Sequence, residues 1–183
     1  EGWDGQMTYN LKSVFLTCKH VLPLMEKQGG GAIVNLASTS GMRWTGSAQI
    51  GYATSKAGVI QFSRVTAVQY ANKGIRVNTV APGTVETEMV AAGADMLGDT
   101  MERQRADYPL GFGKPEDVAH LAAFLVSDAG RWITGTSVVI DGGRKVRIAS
   151  DAEGNRTWPT PEEAEHAARE AERAAKEAER AAK

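Results

Sequence analysis

Apolar residues recur along this chain with two different periods, and the changes of period mark its elements. From Leu11 to Gln28, the residues Leu11, Val14, Phe15, Cys18, Leu22 and Met25 fall on one stripe at helical spacing. Leu16, Val21 and Leu24 make the far side apolar too, which predicts a helix covered on more than one face. Pro23 predicts a kink or a local accommodation within it. The preceding residues 1–10, EGWDGQMTYN, read as a turn-rich lead-in. Gly29, Gly30 and Gly31 end the helix, and because they precede a strand they are not a phosphate cradle. Ala32 to Leu36 is a short apolar run between glycines and a Ser/Thr/Gly cluster, the pattern of a buried strand ending in a loop. A second helical pattern, YATSKAGVIQFSRVTAVQYA, begins at Tyr52, and Gly74 marks its end.

IRVNTVAPG, from Ile75 to Gly83, predicts a second strand closing in a Pro-Gly turn. Residues 84–111 mix short helical patterns with glycines, which suits a mobile lid and an ordinary surface excursion equally. Pro115 to Asp128 predicts a helix with proline in its first turn and acidic residues near its start. GTSVVIDGG, Gly135 to Gly143, predicts a third buried strand. Strands expected at about 32–37, 75–81 and 136–141 alternate with helices, so parallel pairing and right-handed crossovers follow, and the class is α/β.

The pattern changes character after Arg144. Residues 145–158 predict a strand, or a hairpin turning at Glu153-Gly154-Asn155. Thr160 offers an N-cap, Pro161 fits the first helical position and Glu163 completes a capping box, which predicts a long helix over 160–183. That helix is a repeat of seven (EAEHAAR, EAERAAK, EAERAAK) with Glu165–Arg169, Glu172–Lys176 and Glu179–Lys183 pairs in the favourable order. Its seam is alanine, which buries little per residue, so docking on an exposed edge or helix suits it better than a coiled coil. Such regularity reads as design, and the expected organisation is 1–144 followed by an appended 145–183, together one compact domain.

Composition narrows the classes. The 183 residues suffice for one domain with a real core, and a net charge of −1 with mixed signs leaves no footprint for nucleic acid or a membrane surface. Cys18 is the one cysteine, so no internal disulfide forms, and its place in the apolar stripe predicts buried packing. His20, His120 and His166 show no metal-ligand spacing, and no metal is expected. Without a run of transmembrane length or a signal peptide, the expected location is cytoplasmic, or recombinant if the chain is engineered.

Candidate chemistry gathers between Gly31 and Lys56. Ser38 stands just past the first strand, where open α/β sheets place their sites. Tyr52 and Lys56, four apart, share a helical face. A tyrosine near its ordinary pKa of about 10 is a poor base at neutral pH, and a lysine one turn along favours the phenolate. Ser38 could then hydrogen-bond a substrate oxygen while Tyr52 gives or takes its proton. Read together, Asn10 in YNLKSVF, Ser38 in IVNLAS, Tyr52 and Lys56 in YATSKAG, Pro82 and Gly83 in IRVNTVAPG, and the closing VIDGG resemble the C-terminal half of a short-chain dehydrogenase/reductase, over residues 7–143.

The resemblance implies a partial Rossmann-like, three-layer fold and a set of roles. Tyr52 would be the acid/base, and Lys56 would tune it and hold the nicotinamide ribose. Ser38 would steady the carbonyl or alcohol, and Asn10 would support a water in the proton relay. Pro82, Gly83, Val85 and Thr87 would line the nicotinamide end of the cofactor. The Ser38–Tyr52 separation is one residue longer than the family's commonest, which makes Thr39 a second candidate, although the N-x-x-S frame favours Ser38.

The family's glycine-rich turn for the pyrophosphate of NAD or NADP has no counterpart in these residues. The expectation is therefore an engineered or chimeric fragment that retains Asn-Ser-Tyr-Lys, binds no cofactor and does not turn over alone. The alternative is an active NAD(P)(H)-dependent alcohol/carbonyl oxidoreductase whose missing half comes from the tail or a partner chain. A third reading is an assembly module, since helices 11–28 and 56–73 resemble those the family uses to pair subunits, and pairing through them as a homodimer is compatible with either case.

Overall fold

The computed structural model describes residues 2–46, 48–90, 105, 107–144 and 169. The expected strand or hairpin at 145–158 and the expected helix over 160–183 lie outside the described residues, apart from Arg169, as does most of the loose stretch within 84–111. Among the described residues three strands form one sheet in the order β1-β2-β3: β1 (Gly31–Leu36), β2 (Ile75–Pro82) and β3 (Ser137–Ile140). Both pairings are parallel, with Leu36 opposite Val80 and Val80 opposite Val138. The α/β, Rossmann-like class with parallel strands is thus the observed one, and each strand lies within a residue or so of its expected bounds.

The sequence pattern of β2 explains its place. Val77, Val80 and Ala81 are fully buried along with Ile75, because a middle strand of a parallel sheet is covered on both faces. β1 and β3, expected to be buried, are mostly half-buried instead. Each has β2 on one side, and among the described residues nothing pairs with its other edge.

The helices depart from expectation at the start. Residues 2–10 are not a lead-in: α1 (Gly2–Gln6) runs into a π-helical turn (Met7–Lys12) and then α2 (Ser13–Lys27), one continuous helical rod. Glycines and an asparagine favour turns locally, but tertiary packing decides here. Gly58 of α3 (Ile50–Tyr70) lies so close to Leu11 that a Cβ on it would sit 2.8 Å from a leucine methyl. The rod and α3 therefore pack nearly backbone to side chain, and the helix is held from outside. Cys18 and Leu22 of α2 join Ala67, Ile75 and Val77 in the core. The far face of α2 is not covered as expected, since Leu16 and Leu24 are exposed among the described residues.

On the other side, α4 (Pro115–Val126) opens with Pro115, and Asp117 ties its first turn: the Asp117 carboxylate accepts from the Lys114 N–H at 2.7 Å while the Asp117 N–H donates to the Lys114 carbonyl at 3.0 Å. Its carboxyl end is gripped by Arg76 of β2, which donates to the carbonyls of Leu125 (2.7 Å), Ser127 (3.1 Å) and Ile133 (3.2 Å). A cation on the last carbonyls of a helix satisfies groups that have no partner inside it. No described helix is long and apolar enough to cross a membrane.

Candidate active site

The parallel sheet sends the ends of all three strands to one side. Ala37 continues the ladder by donating to the carbonyl of Val80 at 2.8 Å, so Ser38 and Pro82 leave the sheet side by side. Ser38 is buried, in extended conformation, and its Oγ accepts from the backbone N–H of Ser40 at 3.2 Å, which caps a tight turn at Thr39–Gly41. Thr39 is buried next to it. That turn lies on α3: a Cβ at Gly41 would be 2.6 Å from the backbone of Ala57.

Tyr52 and Lys56 enter from the first turns of α3. The Lys56 ammonium stands 5.7 Å from the Tyr52 ring centroid and donates to the carbonyl of Leu36 at 3.0 Å. One side chain thus joins the tyrosine's helix to the strand that delivers Ser38. Asn10 reaches the same helix from the π turn. Its Nδ2 donates to Ser55 Oγ (3.1 Å) and to Gln6 Oε1 (2.6 Å), and Ser55 Oγ donates to the carbonyl of Tyr52 (2.7 Å). A π turn adds a residue to the helical circuit and re-aims the side chains on it, a feature frequent at functional sites. Ser55, fully buried, and Gln6 were missed by sequence reading. The serine directly before Lys56 carried the one available signal.

The turn after β2 holds the remaining candidates. Gly83 donates to the carbonyl of Ile140, and a Cβ on it would be 2.7 Å from the Tyr108 ring and 3.0 Å from Asp141 Cβ. Only glycine lets these three elements meet. Val85 bridges to Gly113, and Thr87 is exposed, its Oγ1 accepting from Val90 N–H at 3.3 Å. Pro82 and Gly83 thus leave the sheet beside Ser38, Val85 follows on a bridge to Gly113, and Thr87 is exposed to solvent. A cavity of about 240 Å³ opens beside the Ser38 loop, with Ser40, Trp44, Gln49, Ile50 and Ala53 among its walls. No metal-binding cluster occurs among the described residues.

Burial lowers the Lys56 pKa from its ordinary 10.5. In the window just beneath 10.5 the unfolded chain then holds more protons than the folded one, so stability rises with pH there. Below that window the desolvated charge is a constant cost. Lys56→Met is expected to raise the melting temperature at neutral pH, the gain over the parent shrinking as pH climbs toward 10.5. A melting series across that range checks it, and a variant less stable at neutral pH would contradict it.

Known proteins agree on what this arrangement belongs to. The family model described as enoyl-(acyl carrier protein) reductase matches residues 1–145. The 3-oxoacyl-(acyl-carrier-protein) reductase FabG of Thermotoga maritima is 43% identical over 144 residues, 78% of this chain and 57% of its own length. A short-chain dehydrogenase/reductase structure from Burkholderia xenovorans superposes with a TM-score of 0.77 at 51% identity, over 80% of this chain and 57% of that one. The structure of ElxO with NADP bound gives a TM-score of 0.70 at 33% identity, over 75% and 55%. The chain spans a little over half the length of the curated relatives it matches, 54% in the case of a Bradyrhizobium diazoefficiens dehydrogenase/reductase. With that extent of match and the ordered Asn10, Ser38, Tyr52 and Lys56 frame, the chain belongs to the short-chain dehydrogenase/reductase family.

Proposed function

We propose that residues 2–144 form the catalytic part of an NAD(P)(H)-dependent oxidoreductase acting between an alcohol and a carbonyl. The observation that carries this is the Lys56 ammonium, 5.7 Å from the Tyr52 ring and bonded to the strand end that leads to Ser38. Tyr52 holds the proton that moves to or from the substrate oxygen, and Ser38 donates a hydrogen bond to that oxygen. The Lys56 charge offsets negative charge that develops on the phenol oxygen. Asn10 and Ser55 fix the first turn of α3 through the Tyr52 carbonyl, so the phenol is oriented before substrate arrives.

The donor set suits a nicotinamide nucleotide. Lys56 has three N–H donors and places one on Leu36, leaving two for a ribose diol. Pro82, Gly83, Val85 and Thr87 would line the nicotinamide end. When bound, the nicotinamide supplies or accepts the hydride. ElxO, a structural relative with NADP bound, supports this cofactor class.

Among the described residues the outer edge of β1 has no partner strand, which favours a second reading, in which the chain turns over only when another segment or chain completes the sheet. Exposed Leu16, Leu24, Val65 and Val68 on α2 and α3 support self-association as a homodimer. The test is titration with NADH and NADPH, read by heat or by tryptophan quenching, beside a Lys56→Ala control. Saturable binding that the control weakens supports a working site. No binding up to millimolar nucleotide sinks cofactor use by this chain alone and leaves the fragment reading.

A further inference from the structure

We propose that Arg144 is a positioning residue, which ties the loop carrying Ser38 to the turn at Pro82–Val85. The role goes beyond the oxidoreductase reading, on which it rests only for its effect on turnover. Arg144 follows β3, and its guanidinium reaches back to the loop after β1. Nη2 donates to the carbonyl of Thr45 at 2.7 Å and lies 3.6 Å from Asp107 Oδ2. The guanidinium carbon of the same group sits over the Tyr108 ring, 5.1 Å from its centroid. Tyr108 is buried, and its hydroxyl accepts from the Thr84 N–H at 2.9 Å and pairs with Thr84 Oγ1 at 2.8 Å. Two residues, Arg144 and Tyr108, thus connect Thr45, at the cavity wall, to Thr84, beside Gly83.

Arginine suits this place because its fork bonds in the plane while its faces stack on rings. A second strut crosses the same gap, since Arg43 Nη2 faces Asp141 Oδ2 at 3.8 Å. That strut is the weaker one. Among the described residues Arg43 Nε, Arg43 Nη2 and Asp141 Oδ2 are buried without hydrogen-bond partners, so the pair is an ion pair without a directed bond. The charge-assisted bond from Arg144 to Thr45 therefore sets the register of the loop. Its consequence is geometric: a reacting group displaced by about 1 Å can lose on the order of a hundredfold in rate.

Trp44, next to Thr45, reports on the loop. The intact chain labelled with 5-fluorotryptophan gives a line for Trp44, assigned by its loss in Trp44→Phe. Arg144→Met is expected to shift or broaden that line and leave those of Trp3 and Trp132 in place. Arg144→Lys, which keeps the charge and a donor, is expected to return it most of the way. With NADPH turnover, Arg144→Met is expected to lower kcat about tenfold with KM for NADPH unchanged. An unmoved Trp44 line overturns the tether. So do lines that all move together, because Arg144 would then hold the whole fold rather than the loop. A moved Trp44 line in a chain that binds no nucleotide supports the tether and counts against the oxidoreductase reading alone.

Discussion

Tyr52→Phe is expected to lower the rate of hydride transfer by about 10²–10⁴-fold while the fold and nucleotide affinity hold. The substitution removes one hydroxyl and nothing else. The ring that faces the Lys56 ammonium stays, and so does the bond from Lys56 to the carbonyl of Leu36. The bond from Ser55 Oγ goes to the backbone carbonyl of Tyr52, so the first turn of α3 keeps its anchor whichever ring is present. What disappears is the group that can carry a proton at the substrate oxygen. A loss confined to proton transfer lowers kcat and kcat/KM together and leaves the nucleotide KM alone. Steady-state rates with NADPH and a carbonyl substrate, with and without the hydroxyl, measure this. Retention of more than about a tenth of the parent rate would move the acid/base role away from Tyr52.

Much of this site is legible in the sequence because its parts are local. Tyr52 and Lys56 are one helical turn apart, so their shared face follows from the helix period alone, and Ser38 follows from the end of an apolar run. Other parts depend on contacts between distant segments. Residues 2–10 look like a turn-rich lead-in until Gly58 is found against Leu11, a contact that holds the π turn and the helix before it on α3. The burial of Ser55 and Ser63, polar letters on the core side of α3, follows from partners that no period announces. Ser63 Oγ, for example, accepts from Asn35 on β1 at 2.9 Å. The half-burial of β1 and β3 shows the same limit, for an apolar run states that a strand can be buried and not what buries it.

Asn78 is a sharper case, a polar residue in the middle of the most buried strand, where the apolar pattern of IRVNTVAPG asks for valine. It is 1% exposed. Its Nδ2 donates to the carbonyl of Ile133 at 2.8 Å, and its Oδ1 accepts from the N–H of Thr136 at 3.2 Å. One amide therefore docks the segment that leads into β3, before the ladder itself begins at Thr79–Ser137. Asn78→Leu, with the same branched side-chain skeleton but no polar atoms, is expected to cost about 1–3 kcal/mol, read as a lower urea midpoint at unchanged slope. The cost comes from Thr136, whose N–H loses its acceptor. The Ile133 carbonyl still receives Arg76 at 3.2 Å and suffers less. Asn78→Asp separates the two effects. It keeps an acceptor for Thr136 but sets a buried carboxylate against the Ile133 carbonyl, which raises the folded-state pKa. The variant is then most stable below the ordinary carboxylate pKa of about 4, where the acid can donate to Ile133, and loses that stability as pH rises through the folded value. Urea midpoints in acid and at neutral pH decide it. An Asn78→Asp chain equally stable at both would mean that water or a shift of the 133–136 segment satisfies these groups, and that Asn78 does not hold β3 to the sheet.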